Sequence, residues 1–410
     1  MIPFERFTLS NGLRVVVNTD VRTPLVAMSL MYDVGSRDED VGATGFAHLF
    51  EHLMFGGSVN VPNFDTPLQL AGGVSNAYTS SDVTCFYCVL PAENVETAFW
   101  LESDRMLSLA FTPKSLEVQR KVVIEEFKQT HLNAPYGDVS HLLLDLAYKV
   151  HPYRWPTIGL EVQHIEQATM EQVREFFFAH YAPNNAVLAL SGNITAERAA
   201  ELAEKWFAPV PRRQVMSRHL PQEPAQAGLR VSEVHRDVPA DAVFMAFHMC
   251  DRLGADYPIC DIISDVLSNG RSARFPIRLV AQKQLFSSAE ASVLGSVDPG
   301  LLMVSGMLNP GVTFEQAEEA IWTELADLRT VTAEEVLKVQ NKFVAGITFE
   351  EISAHARSLT LAEFELLGDA YMANARESTQ RRVSHQDVIR CAAEILRPEN
   401  CSILRYHANA

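Results

Sequence analysis

Residues 208–228 read APVPRRQVMSRHLPQEPAQAG, a stretch rich in proline, glutamine and charge with no apolar period. It offers no face to bury against a core and therefore reads as an extended linker. The order of elements is the same on either side of it. Before it, a strand at Val26–Tyr32 leads to a helix and then to Gly56-Gly57. After it, a strand at Val243–Met249 leads to a helix at Asp256–Leu267 and the turn Ser268-Asn269-Gly270. Residue identity between the halves is low. The repeated order nonetheless predicts a duplicated unit of about 205 residues per copy.

The first half shows what that unit contains. FTLS and LRVVVN flank Asn11-Gly12, the strongest short hairpin signal. Strands are expected at Leu25–Val34, Ser75–Thr79, Thr84–Leu90 and Ala186–Leu190. Helices are expected at Thr44–Phe55, Glu93–Leu109, Ser115–His131, Asp138–Tyr148 and Met170–His180. Strands and helices do not alternate strictly, which favours an α+β fold over a doubly wound parallel sheet. The expected division is a first domain at 1–210, a linker at 211–228 and a homologous second domain at 229–410.

The chain has 410 residues, with 34 Lys and Arg against 51 Asp and Glu, a formal net charge of −17. So acidic a chain repels nucleic acid and anionic membrane surfaces and attracts basic ligands, including basic peptides. MIPFERFTLSNGLRVVV has neither the basic region nor the apolar run of a signal peptide. No window is apolar for long enough to span a membrane. Six cysteines are too sparse for a disulfide framework. Cys85 and Cys88 sit three apart in the strand-like TCFYCVL, so their side chains point to opposite faces as plain buried thiols. The expected compartment is the cytoplasm.

The chemistry lies in Gly45-Phe46-Ala47-His48-Leu49-Phe50-Glu51-His52-Leu53-Met54-Phe55. On a helix, His48 and His52 stand one turn apart on one face, within reach of one ion. Glu51 points to the same side, while Leu49, Phe50, Leu53 and Met54 bury the helix. The spelling is H-x-x-E-H, the inverse of H-E-x-x-H. A catalytic zinc takes three protein ligands and keeps one position open. Two imidazoles supply two ligands, and Glu51 supplies a base for water. A third ligand is found on the helix at Ser115–His131, where Gln119, Val122, Val123, Glu126 and Thr130 share a face. A carboxylate among apolar neighbours is costly unless paired or metal-bound, which selects Glu126. Glu125, about 100° round, meets solvent.

These residues resemble the zinc motif of the pitrilysin/insulinase family of metallopeptidases, whose short two-domain members include the mitochondrial processing peptidase subunits. The likeness covers Gly35, Gly45, His48, Glu51, His52, Gly56-Gly57-Ser58, the opening LSNGLRVVV, Gly72–Thr79, and His151-Pro152-Tyr153 before Gly159. The family's E-R-x-x-V-x-x-E stretch falls on Gln119–Glu126. The resemblance implies two homologous α+β domains, each a mostly antiparallel sheet covered by helices. It implies one zinc per chain, held by His48, His52 and Glu126, with Glu51 as base. It also implies a chamber in which peptides or unfolded segments add a strand to an edge, with Asn76 and Ala77 facing the peptide.

Two departures stand out. The pattern's leading glutamate is Gln119, which can still hydrogen-bond to a ligand histidine. The Arg and Tyr that serve substrate and oxyanion in the second half are Val280 and Ser287 here. The expected function is therefore a zinc endopeptidase subunit that dimerises with a homologous chain supplying Arg and Tyr. A homodimer using Arg271 or Arg274 is the runner-up, with both read otherwise as solvated loop charges. The rival reading is a non-catalytic structural core-type subunit of the same fold.

Overall fold

Asn11-Gly12 turns the chain as its sequence predicts. Gly12 takes φ +95°, and the buried Asn11 amide donates to the carbonyls of Phe207 and Val210, fixing the start of the linker. The hairpin it closes joins β1 (Glu5–Thr8) to β2 (Arg14–Thr19). The structure, a computed structural model, describes residues 1–216 and 218–409. Ser217, in the predicted linker, and Ala410, at the end of the second predicted domain, lie outside the described residues.

The remaining strands of the first half are β3 (Leu25–Tyr32), β4 (Val74–Thr79), β5 (Thr84–Pro91) and β6 (Ala186–Gly192). They form a sheet ordered β1-β2-β6-β3-β5-β4, antiparallel except for the β2/β6 pair. The second half supplies β7 (Arg230–Arg236), β8 (Ala242–His248), β9 (Phe286–Leu294), β10 (Leu301–Leu308) and β11 (Cys401–Ala408). Their order is β7-β11-β8-β10-β9, again with one parallel pair, β7/β11. With β1 set aside, the two orders coincide strand for strand, parallel pair included. This shared topology is the duplication seen in the element order, and each sheet is mostly antiparallel and flanked by helices.

The chain forms two compact units. The first comprises residues 1–129, 155–220 and 347–375; the second comprises 130–154, 221–346 and 376–410. Sequence order alone groups each helix with its own half, whereas packing exchanges two of them. Within the first unit, one face of the sheet carries Val15, Val17, Met28, Leu30 and Phe86 toward the helices of the first half. Its other face carries Val16, Met31, Cys85 and Val187 against Leu361 and Ala362 of helix Ala354–Leu366. Within the second unit, Val243, Met245 and Phe247 face its own helices. Phe244, Ala246, Leu404 and Tyr406 meet Leu143 and Ala147 of helix Val139–Ala147. A sheet has two apolar faces to cover, and each half's own helices cover one.

Cys88 and Cys85 lie in the cores on opposite faces of the first sheet, both buried, and burial pushes both thiols up. Among the described residues, no regular element lies between Trp206 and Arg230. That linker is pinned at both ends. Arg213 donates to the carbonyls of Tyr181, Met106 and Leu107 in the first unit. Glu223 accepts the amides of Lys149, Val150 and His151 in the second. Among the described residues, no helix is long and apolar enough to cross a membrane.

Candidate metal centre

The histidine motif folds as helix Phe46–Met54, with Phe46, Ala47, Leu49, Phe50, Leu53 and Met54 buried. Its N-terminus is held by a residue the sequence reading passed over. Glu39 is buried, and its carboxylate accepts the Gly45 amide at 2.9 Å, the Ala47 amide at 2.8 Å and Trp155 Nε1–H at 3.2 Å. It satisfies amides that the first helical turn leaves without partners. Gly45 itself takes φ +86°, and a Cβ there would lie 2.7 Å from the Ile158 carbonyl oxygen. The sequence signal was an acidic residue six positions before a glycine-led helix, too common to single out.

Replacing Glu39 by Ala therefore strands buried amides and costs about 2–3 kcal/mol of stability in denaturant unfolding. Burial pushes the Glu39 carboxyl up to about 8, against the three donors that pull it down. A carboxyl raised in the folded state stabilises fold below its ordinary range. That contribution is lost as pH rises from about 4.5 through about 8. Glu39→Gln keeps most of the stability and flattens that slope. An unchanged pH dependence of unfolding in the Gln variant contradicts this assignment.

The glutamate helix runs Pro113–Phe127, capped by Thr112, whose hydroxyl accepts the Ser115 amide. It buries Leu116, Val123 and Phe127 and then widens into a π turn at Lys128–Leu132, where a simple continuation to His131 was expected. Glu126 is less enclosed than its helical spacing among apolar residues implied. Val122 is 44% exposed and the Glu126 side chain 40% exposed, so that face is only half-buried. The helix leans its Leu116, Val123 and Phe127 stripe into the core and leaves Val122 toward solvent. Glu125 is exposed, as expected, and accepts from Lys128.

Three donors nevertheless converge. His48 Nε2 and His52 Nε2 are 3.3 Å apart. Glu126 Oε2 lies 3.3 Å from His52 Nε2, and Oε1 lies 3.8 Å from His48 Nε2. Ligands about 2.0–2.1 Å from a tetrahedral ion stand about 3.3 Å from one another. The spacing, the imidazole and carboxylate chemistry and the partial burial of all three residues therefore fit zinc. Among the described residues, this is the one group of three or more His, Cys, Asp or Glu that brings its ligand atoms this close.

Glu51 is half-buried beside them. Burial raises its carboxyl above the ordinary range, opposed by a 2.6 Å hydrogen bond from Thr79 Oγ1 to Oε2. Thr79 ends β4, and β4 is an edge strand of the first sheet. The edge that the resemblance implied thus ends in a hydrogen bond to Glu51. Asn76 is exposed on that strand, its side-chain oxygen accepting the Ala77 amide, and Ala77 is half-buried. Gln119 lies two turns before Glu126 on the same helix, half-buried. Among the described residues its side chain makes no hydrogen bond to either histidine.

In the second unit, Val280 lies on a π-helical turn, Phe275–Gln282, and Ser287 is exposed near the start of β9. Arg274 is not a solvated loop charge: it is buried and paired with Glu335 at 2.8 Å and Asp327 at 3.3 Å. Two acids on neighbouring elements draw it in. Arg271 is exposed, as expected.

An H-x-x-E-H helix completed by a glutamate from a second helix, on a duplicated α+β fold, is the arrangement of an inverted-motif metallopeptidase. Residues 14–159 match the family described as Insulinase (Peptidase family M16), and residues 167–343 match Peptidase M16 inactive domain. The chain is 30% identical over 331 residues to the zinc protease PqqE of Helicobacter pylori, covering 79% of this chain and 74% of that one. It is 26% identical over 248 residues to a probable mitochondrial-processing peptidase subunit beta of Arabidopsis thaliana, covering 58% of this chain and 46% of that one. The crystal structure of a protease from Helicobacter pylori superposes with a TM-score of 0.95 at 26% identity, covering 99% of this chain and 100% of that one. The chain belongs to the insulinase family of peptidases, peptidase family M16.

Proposed function

We propose that the chain is the metal-bearing subunit of a zinc-dependent endopeptidase that cleaves peptides or unfolded segments. The observation that carries this reading is the convergence of His48, His52 and Glu126 beside Glu51, at the end of an edge strand. When bound, zinc supplies a Lewis acid for the scissile carbonyl and lowers the pKa of water toward ~7. The chain's own residues do the rest. His48, His52 and Glu126 hold the ion, one per chain. Thr79 occupies one oxygen of Glu51 and fixes the carboxylate, leaving the other to take a proton from the attacking water and pass it to the leaving amine. The raised Glu51 carboxyl suits that exchange, since a base works best with its pKa near the working pH. The β4 edge, with Asn76 and Ala77, takes the peptide as an added strand.

The second half, residues 229–410, which the inactive-domain match at 167–343 overlaps in part, holds no counterpart of the histidine motif in its sequence. Val280 and Ser287 supply neither a cation nor a phenol, and Arg274 is bound to two acids. Losing a single oxyanion donor costs an enzyme ~10²–10³ in kcat. The chain alone therefore cleaves a quenched peptide library weakly. It gains about 10²-fold or more when mixed with a homologous chain that carries Arg and Tyr at these positions. A homodimer using Arg271 is the remaining alternative. Full activity from the chain alone that survives Arg271→Ala overturns both versions of the partnership.

A further inference from the structure

Among the described residues, four strands bound the two sheets: β1 and β4 in the first, β7 and β9 in the second. An open edge invites stray pairing, and charged side chains guard against it. Glu5 and Arg6 serve on β1, Glu233 and Arg236 on β7, and Glu290 on β9. β4 reads VSNAYT, without a charged residue, and leaves Val74 69% and Tyr78 38% exposed. We propose that this unguarded edge selects its peptide through Val74 and Tyr78. The preferred segment carries a β-branched residue and an aromatic residue four positions apart, with a small polar residue midway. The inference rests on the reading of β4 as the edge that takes the peptide.

The ladder decides which side chains a guest strand meets. The Ser80 amide donates to the Val83 carbonyl at 2.8 Å and closes the turn between β4 and β5. From there, bonded and non-bonded pairs alternate along an antiparallel ladder. Tyr78, Asn76 and Val74, opposite Cys85, Tyr87 and Val89, therefore bond to β5. Ser75, Ala77 and Thr79 turn their backbone groups outward. Asn76 Oδ1 accepts the Ala77 amide at 2.9 Å, which fits an outward position. A guest strand takes over that amide and bonds to the outward three. In an antiparallel guest, the residues opposite Val74, Asn76 and Tyr78 then form the non-bonded pairs. Cα atoms stand about 4.5 Å apart there, and side chains lie closest.

Side chains alternate along β4. Ser75, Ala77 and Thr79 lie on the face of Phe86, the side of the histidine helix, where Thr79 reaches Glu51. Val74, Asn76 and Tyr78 lie on the face of Cys85 and Tyr87. There Cys85 is buried against helix Ala354–Leu366, and Tyr87 stacks on its His355 at 4.0 Å. Selection on this face reads guest side chains that point away from the metal centre. An antiparallel guest runs from Thr79 toward Val74. Its residue opposite Tyr78 comes first, and its residue opposite Val74 follows four later. Aromatic and β-branched side chains pair favourably across strands, so Val or Ile suits the first place and Phe or Tyr the second. A small polar residue suits the middle, opposite Asn76. A charge at either outer place loses water against an apolar partner.

The test uses fluorescein-labelled peptides of about nine residues that differ only at the two outer places: Val and Phe, Ala and Ala, or Asp and Asp, with Ser midway. Fluorescence anisotropy reads their binding to the full zinc-loaded Glu51→Gln chain. The ratio kcat/KM reads their cleavage by the zinc-loaded chain with its homologous partner. Two cross-strand pairs favour the Val/Phe peptide over the Ala/Ala peptide by about fivefold to tenfold, and the Asp/Asp peptide is the weakest. Tyr78→Ala loses the preference at the first place and Val74→Ala at the second. Val74→Lys turns the second place from Phe to Glu, since opposite charges also pair across strands. Val231→Ala, at an exposed valine on the β7 edge, changes none of this. Equal binding of the three peptides, no binding by any of them, or a preference that survives Val74→Ala with Tyr78→Ala overturns the inference. Selective binding with no cleavage in any mixture upholds it and contradicts the peptidase reading. Cleavage without the preference overturns it and leaves the peptidase reading standing.

Discussion

Alanine at His48, His52 or Glu126 removes most of the bound zinc and abolishes peptide cleavage. The expectation follows from ligand count. Three protein ligands are the minimum for a catalytic zinc site, and each substitution leaves two. The three donor atoms are independent of one another in the chain. Two come from one turn of a buried helix, and the third comes from the glutamate helix 74 residues beyond His52. Among the described residues, no fourth His, Cys, Asp or Glu joins these three at ligand spacing; Glu51 is held by Thr79 through one oxygen, and Glu125 is exposed and accepts from Lys128. Glu125→Ala is the matched control and keeps the metal, one position away on the same helix. Elemental analysis gives the readout directly. Stoichiometric zinc in purified Glu126→Ala protein removes Glu126 from the ligand set.

Glu51→Gln keeps the zinc and lowers cleavage by ~10²-fold or more, the size of a general-base contribution. The amide fills the same space beside Thr79 and can still accept its hydroxyl, so the helix and the ligands are undisturbed. It cannot take a proton from water. The effect therefore falls on kcat, with zinc content and KM near those of the wild type. A companion change, Thr79→Val, leaves Glu51 able to accept a proton but frees it to turn, and so causes a smaller loss in kcat. An unchanged rate in the zinc-loaded Gln variant excludes Glu51 from the proton transfer.

The sequence carried the metal motif openly because two histidines at i and i+4 fix their own geometry once a helix is granted. The apolar residues between them granted it. Glu126 was reachable from helical spacing, although the burial argument for it was too strong: Val122 on that face is exposed, and only tertiary packing decides how far a helix rotates toward its core. The repeated strand order was legible because turns and apolar runs are local. Helices Val139–Ala147 and Ala354–Leu366 exchange sheets, and that was not legible, since an apolar stripe says that a face is buried but not against what. Glu39 and Thr79 escaped for the same reason. Each acts on a residue distant along the chain, and neither carries a pattern of its own. Arg274 shows the reverse error. A loop position suggested solvent, and two acids from later elements made it a buried pair.

The central claim is that hydrolysis belongs to zinc held by this chain. The measurement that tests it most directly is the rate of quenched-peptide cleavage by the chain with a homologous partner carrying Arg and Tyr, before metal removal, after it, and after zinc is returned. The account predicts that cleavage disappears when a chelator has stripped the metal and returns with about one zinc per metal-bearing chain. Cleavage that continues at the original rate in protein shown by elemental analysis to be metal-free would contradict it.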